Sequence, residues 1–212
     1  MKKTIAALVL ALGFTTCTEL TDNTNESSYF TKSVGGEISL DDGERWAARY
    51  VREQQNGRTL GALNIPASAL HGFVSGLGNY VGLHFKYGID DHGQIHVLVV
   101  PKLESSFSAD LALDAYDGSY ITLSTVTSWT QRYVSEDASR IRSYFFGRHV
   151  FDQILSKEAF ENLEVRHGIS DSGEQELLLY AWNTRETSSG RKQSNEVDVY
   201  DMSYTCPTRC DE

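Results

Sequence analysis

The chain spells one pattern twice. "ISLDDGERWAARYVRE" runs from Ile38 to Glu53, and "ITLSTVTSWTQRYVSE" runs from Ile121 to Glu136. Ile38, Leu40, Trp46, Arg49, Tyr50, Val51 and Glu53 recur as Ile121, Leu123, Trp129, Arg132, Tyr133, Val134 and Glu136. "YGIDDHGQIHVLVV", from Tyr87, is answered by "HGISDSGEQELLLY", from His167, and "DAYDGSY", from Asp114, by "DVYDMSY", from Asp198. The three matches keep their order, at offsets of 83, 80 and 84 residues. Whatever local structure one unit adopts, the other is expected to adopt as well. Two units do not make a solenoid. Residues 38–120 and 121–204 are therefore expected to pack as two small domains, or as one domain with an internal pseudo-twofold axis.

Within a unit the hydrophobic period changes. Trp46, Tyr50 and Val51 share a helical face, as do Trp129, Tyr133 and Val134. Asp41 with Glu44 is expected to cap the first helix and Ser124 the second. Arg49 with Glu53, and Arg132 with Glu136, have i,i+4 spacing and read as solvated helix ion pairs. Second helices are expected over 67–77 and 147–160. The period then becomes two, around Leu83–Tyr87 and Leu163–His167, and each run ends in G-I-x-D-x-G ahead of an aliphatic stretch. That is a hairpin signal. A third strand is expected near 110–115 and near 196–200, giving an α+β fold of two tandem ααβββ repeats.

The first hairpin loop holds the residues most suggestive of chemistry: Asp91, His92 and His96, the weak catalytic candidates. Gly88, Ile89, Asp91 and Gly93 recur as Gly168, Ile169, Asp171 and Gly173, whereas Asp90 and His92 are replaced by Ser170 and Ser172. The shared residues are those a turn needs, with the aspartate capping turn amides. If Ile89 and Gln94 close the turn, His96 faces Tyr87 across the strands, on the side of Phe85 and Leu98. His167 and Glu176 then form the equivalent pair. His71, His84, His92 and His96 would not converge, so no metal site is expected. No G-x-S-x-G, H-E-x-x-H or P-loop motif is present, and no cofactor is expected.

The ends speak to location. Lys2 and Lys3 precede a short apolar run, Ile5–Phe14, and Cys17 follows. This reads as a signal peptide over residues 1–16, with Cys17 lipidated in the manner of a palmitate-bearing bacterial lipoprotein. Residues 17–37 are expected to be the lipidated cysteine and a flexible tether. The apolar run is far shorter than the ~20 residues of a spanning helix. In the 205–212 tail, Cys206 and Cys210 are expected to form a disulfide, as exported cysteine pairs do. Their C-x-x-x-C spacing is not the C-x-x-C of thioredoxin-type redox pairs. The formal net charge is −10, and losing Lys2 and Lys3 with the signal makes it −12. A chain this acidic, with no basic patch, argues against nucleic-acid binding.

"ISLDDGERWAARY", "LHFKYGIDDHGQIHVLVV", "FFGRHVFDQIL", "VRHGISDSG" and the terminal "CPTRC" resemble a group of uncharacterised exported proteins of Bacteroidota. The resemblance covers most of residues 38–210 and implies bacterial export and an α+β fold. It carries no activity and no catalytic residues. The function expected is that of a non-enzymatic cell-envelope lipoprotein, anchored in the outer membrane, that meets an envelope protein or a small ligand. The alternative is an envelope hydrolase using the carboxylate and histidine groups of the first repeat. A ligand groove between the repeats would be lined by Trp46 and Trp129, although both tryptophans read first as core residues.

Overall fold

The computed structural model describes residues 30–53, 60–104, 110–186, 192–201 and 205–206. The signal segment, Cys17 and Cys210, and with Cys210 the expected disulfide, lie outside them. In chain order the elements are β1 (Gly36–Ile38), α1 (Leu40–Glu53), β2 (Leu63–Pro66), α2 (Ala67–Ser75), β3 (Tyr80–Ile89), β4 (Ile95–Leu103) and β5 (Leu111–Asp114). They continue as β6 (Tyr120–Thr122), α3 (Leu123–Glu136), β7 (Ser143–Gly147), α4 (Arg148–Leu155), β8 (Phe160–Ile169), β9 (Gln175–Glu186), β10 (Lys192–Asp201) and β11 (Thr205–Cys206). The fold is α+β. The order β-α-β-α-β-β-β occurs twice, so the expected ααβββ unit lacked the short strand before each helix. Three to five residues that end at a helix start carry too little alternation to read as strands.

Both sheets are antiparallel. One has the strand order β1-β10-β9-β8-β2 and the other β11-β7-β3-β4-β5-β6. Place for place, β1, β10, β9, β8 and β2 match β6, β5, β4, β3 and β7. Each sheet therefore crosses the boundary expected near residue 120: β2 pairs with β8, and β7 with β3. Helix α1 packs on the sheet of β8–β10, and α3 on the sheet of β3–β5. The inner faces meet in one buried cluster containing Phe85, Tyr87, Val99, Tyr144, Phe146, Val165 and Leu179, to which α2 adds Leu70 and Phe73 and α4 adds Phe151. Smaller clusters lie under the outer helices. Trp46 joins Leu178 and Val199 beneath α1, and Trp129 joins Leu98 and Ala112 beneath α3. The two tryptophans are thus packed on separate sheets and do not line a common groove.

Hydroxyl groups set both long helices. Ser39 Oγ accepts the Asp42 N–H at 3.1 Å, and Thr122 Oγ1 accepts the Thr125 N–H at 3.3 Å. The caps expected at Asp41 and Ser124 are thereby moved upstream, to the residue before the first helical one, where a side-chain oxygen reaches the free N–H groups of the first turn. Residues 30–37, expected within the tether, are packed. Phe30 meets His84 and Phe145 edge-on at 5.0 Å, and the Gly147 N–H donates to the Val34 carbonyl at 2.8 Å. Among the described residues no helix is long and apolar enough to cross a membrane.

Candidate functional site

The Asp90 N–H donates to the Gln94 carbonyl at 3.0 Å, and Gly93 has φ +79°. This is a three-residue loop with glycine at its left-handed position. It shifts the expected register by one: Gly88 pairs with His96 and Tyr87 with Val97, as Gly168 pairs with Glu176. Because side chains alternate along a strand, His96 and Tyr87 lie on opposite faces of the sheet. His96 faces α3, where its ring meets Trp129 at 4.7 Å and its Nδ1 lies 2.7 Å from Asp114 Oδ2.

The turn cap is also one residue earlier than expected. Asp90 Oδ1 accepts the N–H groups of His92 and Gln94, at 2.9 and 2.7 Å, and Ser170 Oγ accepts the Glu174 N–H at 3.3 Å. The repeated Asp91 and Asp171 serve the helices instead. Arg132 of α3 donates to the Ile89 carbonyl at 2.6 Å and to Asp91 at 2.7 Å. Arg49 of α1 donates to the carbonyls of Ile169 and Ser170, and to Asp171 at 3.0 Å. The expected i,i+4 pairs with Glu53 and Glu136 give way to this contact, because a guanidinium fork satisfies a strand-end carbonyl and a carboxylate together. Glu136 pairs with Arg140 instead, at 3.0 Å. The neighbouring glycine completes the fit: a Cβ on Gly88 would lie 2.9 Å from Trp129 Cβ, and one on Gly168 3.1 Å from Trp46 Cβ. The repeated tryptophan, arginine, glycine and aspartate form one latch, made twice, between the helix of one half and the hairpin of the other.

Asp91, His92 and His96 are therefore not brought together. Asp91 is exposed and held by Arg132, His92 stands exposed at the tip, and His96 is buried under Trp129. Among the described residues no group of three or more His, Cys, Asp or Glu could hold a metal.

Strand register also revises the third sequence match. Leu113 lies across from Val99 as Tyr200 lies across from Leu179, which sets Asp114 in correspondence with Asp201 rather than with Asp198. The His96–Asp114 pair of one sheet is thus answered by two carboxyls, Glu176 and Asp201. Burial, helped by the nearby charges of Asp201 and Glu174, pushes the Glu176 carboxyl up to about 8.

A different set of residues converges at the junction of the two halves. The β7 ladder on β3 ends at Lys86, and the β2 ladder on β8 ends at Val165. Just beyond those ends Tyr87 and His167 point inward and meet, Oη to Nε2 at 2.5 Å. Tyr133 from α3 stacks on Tyr87 with ring centroids 5.3 Å apart, and Tyr50 from α1 stacks on His167 at 5.1 Å. Four rings stand in one offset column, Tyr50–His167–Tyr87–Tyr133. Tyr144 meets Tyr87 edge-on, with ring centroids 6.1 Å apart, and its hydroxyl donates to the Gln175 carbonyl at 3.3 Å. Burial holds the His167 imidazole down to about 4 and raises the Tyr87 phenol well above its ordinary value. Both are neutral at pH 7. Beside the column lies a cavity of about 360 Å³. It is lined by Tyr50 and Tyr133, Tyr87 and His167, and Ile95 and Gln175, three pairs at corresponding places in the two halves. Leu60, Glu136 and Arg140 complete the lining. A second cavity of about 410 Å³ shares Tyr50, Leu60 and His167 and continues along α1 to Arg166.

The sequence contained a signal for this site that periodicity does not register. Tyr87 and His167 hold the same place in the repeated pattern, 80 residues apart. Compared with protein-family models, curated proteins and solved structures, the chain matches none.

Proposed function

We propose that this chain is an exported, non-enzymatic envelope lipoprotein, held to the membrane through Cys17, that binds a small molecule in the cavity beside the Tyr50–His167–Tyr87–Tyr133 column. The observation that carries the binding reading is the cavity itself. It is of the size small-molecule sites have, is walled by aromatic rings, and contains a few fixed polar groups. Export and anchoring rest on the apolar run Ile5–Phe14 and on Cys17. A hydrolase built on Asp91, His92 and His96 is disfavoured by their separation, since acid–base partners must lie within hydrogen-bond reach of one reacting group.

Two measurements test the reading. The mature protein, purified from its native envelope under non-denaturing conditions, should carry a bound small molecule in native mass spectrometry. Tyr133→Trp, which fills the cavity, should lose that molecule while keeping the fold. A protein that carries no small molecule and whose cavity resonances respond to none of a panel of small molecules would end the binding reading. For the anchor, a palmitate analogue should label the wild type and not Cys17→Ala. Label that persists on the variant would refute it.

A further inference from the structure

Residues 31–36 lie against the start of α4. The first N–H groups of a helix have no partner within it. Here the Gly147 N–H donates to the Val34 carbonyl at 2.8 Å, and the His149 N–H donates to the Lys32 carbonyl at 3.1 Å. The half-buried His149 side chain then turns back on the same stretch. Its Nδ1 lies 2.6 Å from the Lys32 carbonyl oxygen, and its Nε2 lies 3.0 Å from that of Gly35. A carbonyl only accepts, so each ring nitrogen must donate, yet a neutral imidazole has one N–H. Both bonds are made only by the doubly protonated, cationic ring. Either neutral tautomer sets a nitrogen lone pair against a carbonyl oxygen. The Gly35 contact is partly buried, so water does not fully replace a lost bond there.

The charged groups nearby do not take over this role. Lys32 pairs with Glu104 of β4, and Arg148 pairs with Asp152 along α4 at 3.3 Å. Glu37 follows in β1, and Asp201 lies opposite Gly36 on β10. Among the described residues both His149 nitrogens face carbonyls and neither faces a carboxylate. His84, which meets the Phe30 ring at 5.0 Å, is held down to about 3 by burial and stays neutral above pH 5. The stretch leads into β1, a three-residue strand at the edge of its sheet. We infer that His149 is a pH-sensitive clasp: its cationic ring holds residues 31–36 on α4, and loss of one proton releases them. The cation makes the clasp, so it is complete at low pH and weakens as pH rises through about 5 to 8, where histidine changes charge. With the chain anchored through Cys17, as proposed above, release lengthens the connection between anchor and body. The clasp itself does not depend on the anchor.

The test follows the full mature chain by NMR at pH 5 and pH 7.5. It reads the protons on the His149 ring nitrogens and the hydrogen-exchange protection factors of the Gly147 and His149 amides, which already allow for base-catalysed exchange. At pH 5 both ring nitrogens should carry protons. Protection of the two amides should fall at least tenfold by pH 7.5, the least that one hydrogen bond from a charged donor is worth. His149→Phe, which has no donor, should be poorly protected at both pH values. His149→Lys, whose ammonium stays charged and can donate to both carbonyls, should be well protected at both. Thermal melts verify the fold of each variant, and if His149→Phe does not fold, His149→Lys carries the comparison. A single protonated ring nitrogen at pH 5, wild-type protection that does not change with pH, or an equal fall in either variant overturns the clasp.

Discussion

Replacing Gly88 with alanine adds one methyl group at the tightest point of the latch. The new Cβ would sit 2.9 Å from Trp129 Cβ and 3.0 Å from Leu98 Cδ1. The leucine tip can rotate, but Trp129 Cβ is fixed to the backbone of α3, so the helix must lift off the strand. Overpacking of this kind costs about 1–3 kcal/mol. The lower entropy of an unfolded alanine returns about 0.4–1 kcal/mol, leaving a net loss of about 1–2 kcal/mol. In a chain of this length each kcal/mol moves the melting temperature by about 2–4 °C, so a fall of about 2–8 °C is expected. Circular dichroism melts of the wild type, Gly88→Ala and Gly36→Ala test this. Gly36 has nothing within 4 Å of an added Cβ, so its variant should melt at or slightly above the wild type. Trp129→Ala keeps the offending Cβ and should not rescue Gly88→Ala. A Gly88→Ala protein that melts at or above the wild type, or a Gly36→Ala protein that falls as far, would refute the steric account.

The latch arginine should matter more than its aspartate. Arg132→Ala leaves the Ile89 carbonyl without its donor and should cost about 1–2 kcal/mol in urea unfolding. Asp91→Ala breaks an exposed ion pair and should cost under about 1 kcal/mol, so equal losses would put the stabilisation in the ion pair instead. Glu176 links stability to pH. Its folded value, raised from 4.5 to about 8, gives stability that is fully present below about 4.5 and lost as pH rises through about 8, by at most roughly 5 kcal/mol. Glu176→Gln should therefore flatten the decline in urea midpoint between pH 5 and pH 8, and an unchanged slope would assign the decline to other groups. His84 acts with the opposite sign. Burial holds its imidazole down to about 3, so its contribution is present above pH 6.5 and lost as pH falls toward the folded value. His84→Phe should hold its midpoint better than the wild type on going from pH 6.5 to pH 4, and a parallel loss in both proteins would rule His84 out.

The repeat, the α+β class, the four helices and the two hairpins were legible in the order of residues. Each is a local matter: a face at Trp46 and Tyr50, an alternation at Leu83–Tyr87, and a glycine where the loop needs φ > 0. The errors were of one step. A hairpin closed at Asp90 rather than Ile89 moves His96 to the other face, and no hydrophobic pattern distinguishes two registers in a strand buried on both sides. What Arg49, Arg132, Asp91 and Asp171 are for could not be read at all, because their partners lie 41 and 122 residues away in the other half. Helix propensity sees only the i,i+4 neighbour. The candidate site belongs wholly to tertiary structure. Tyr87 and His167 are 80 residues apart and meet only because β2 and β7 each pair with a strand of the other half and those ladders stop short. Sequence by itself determined that one pattern is spelt twice and that Tyr87 and His167 hold the same place in it. Packing decided that the two rings touch, because burial removes the water that would otherwise satisfy them and leaves each to find its partner in the other half.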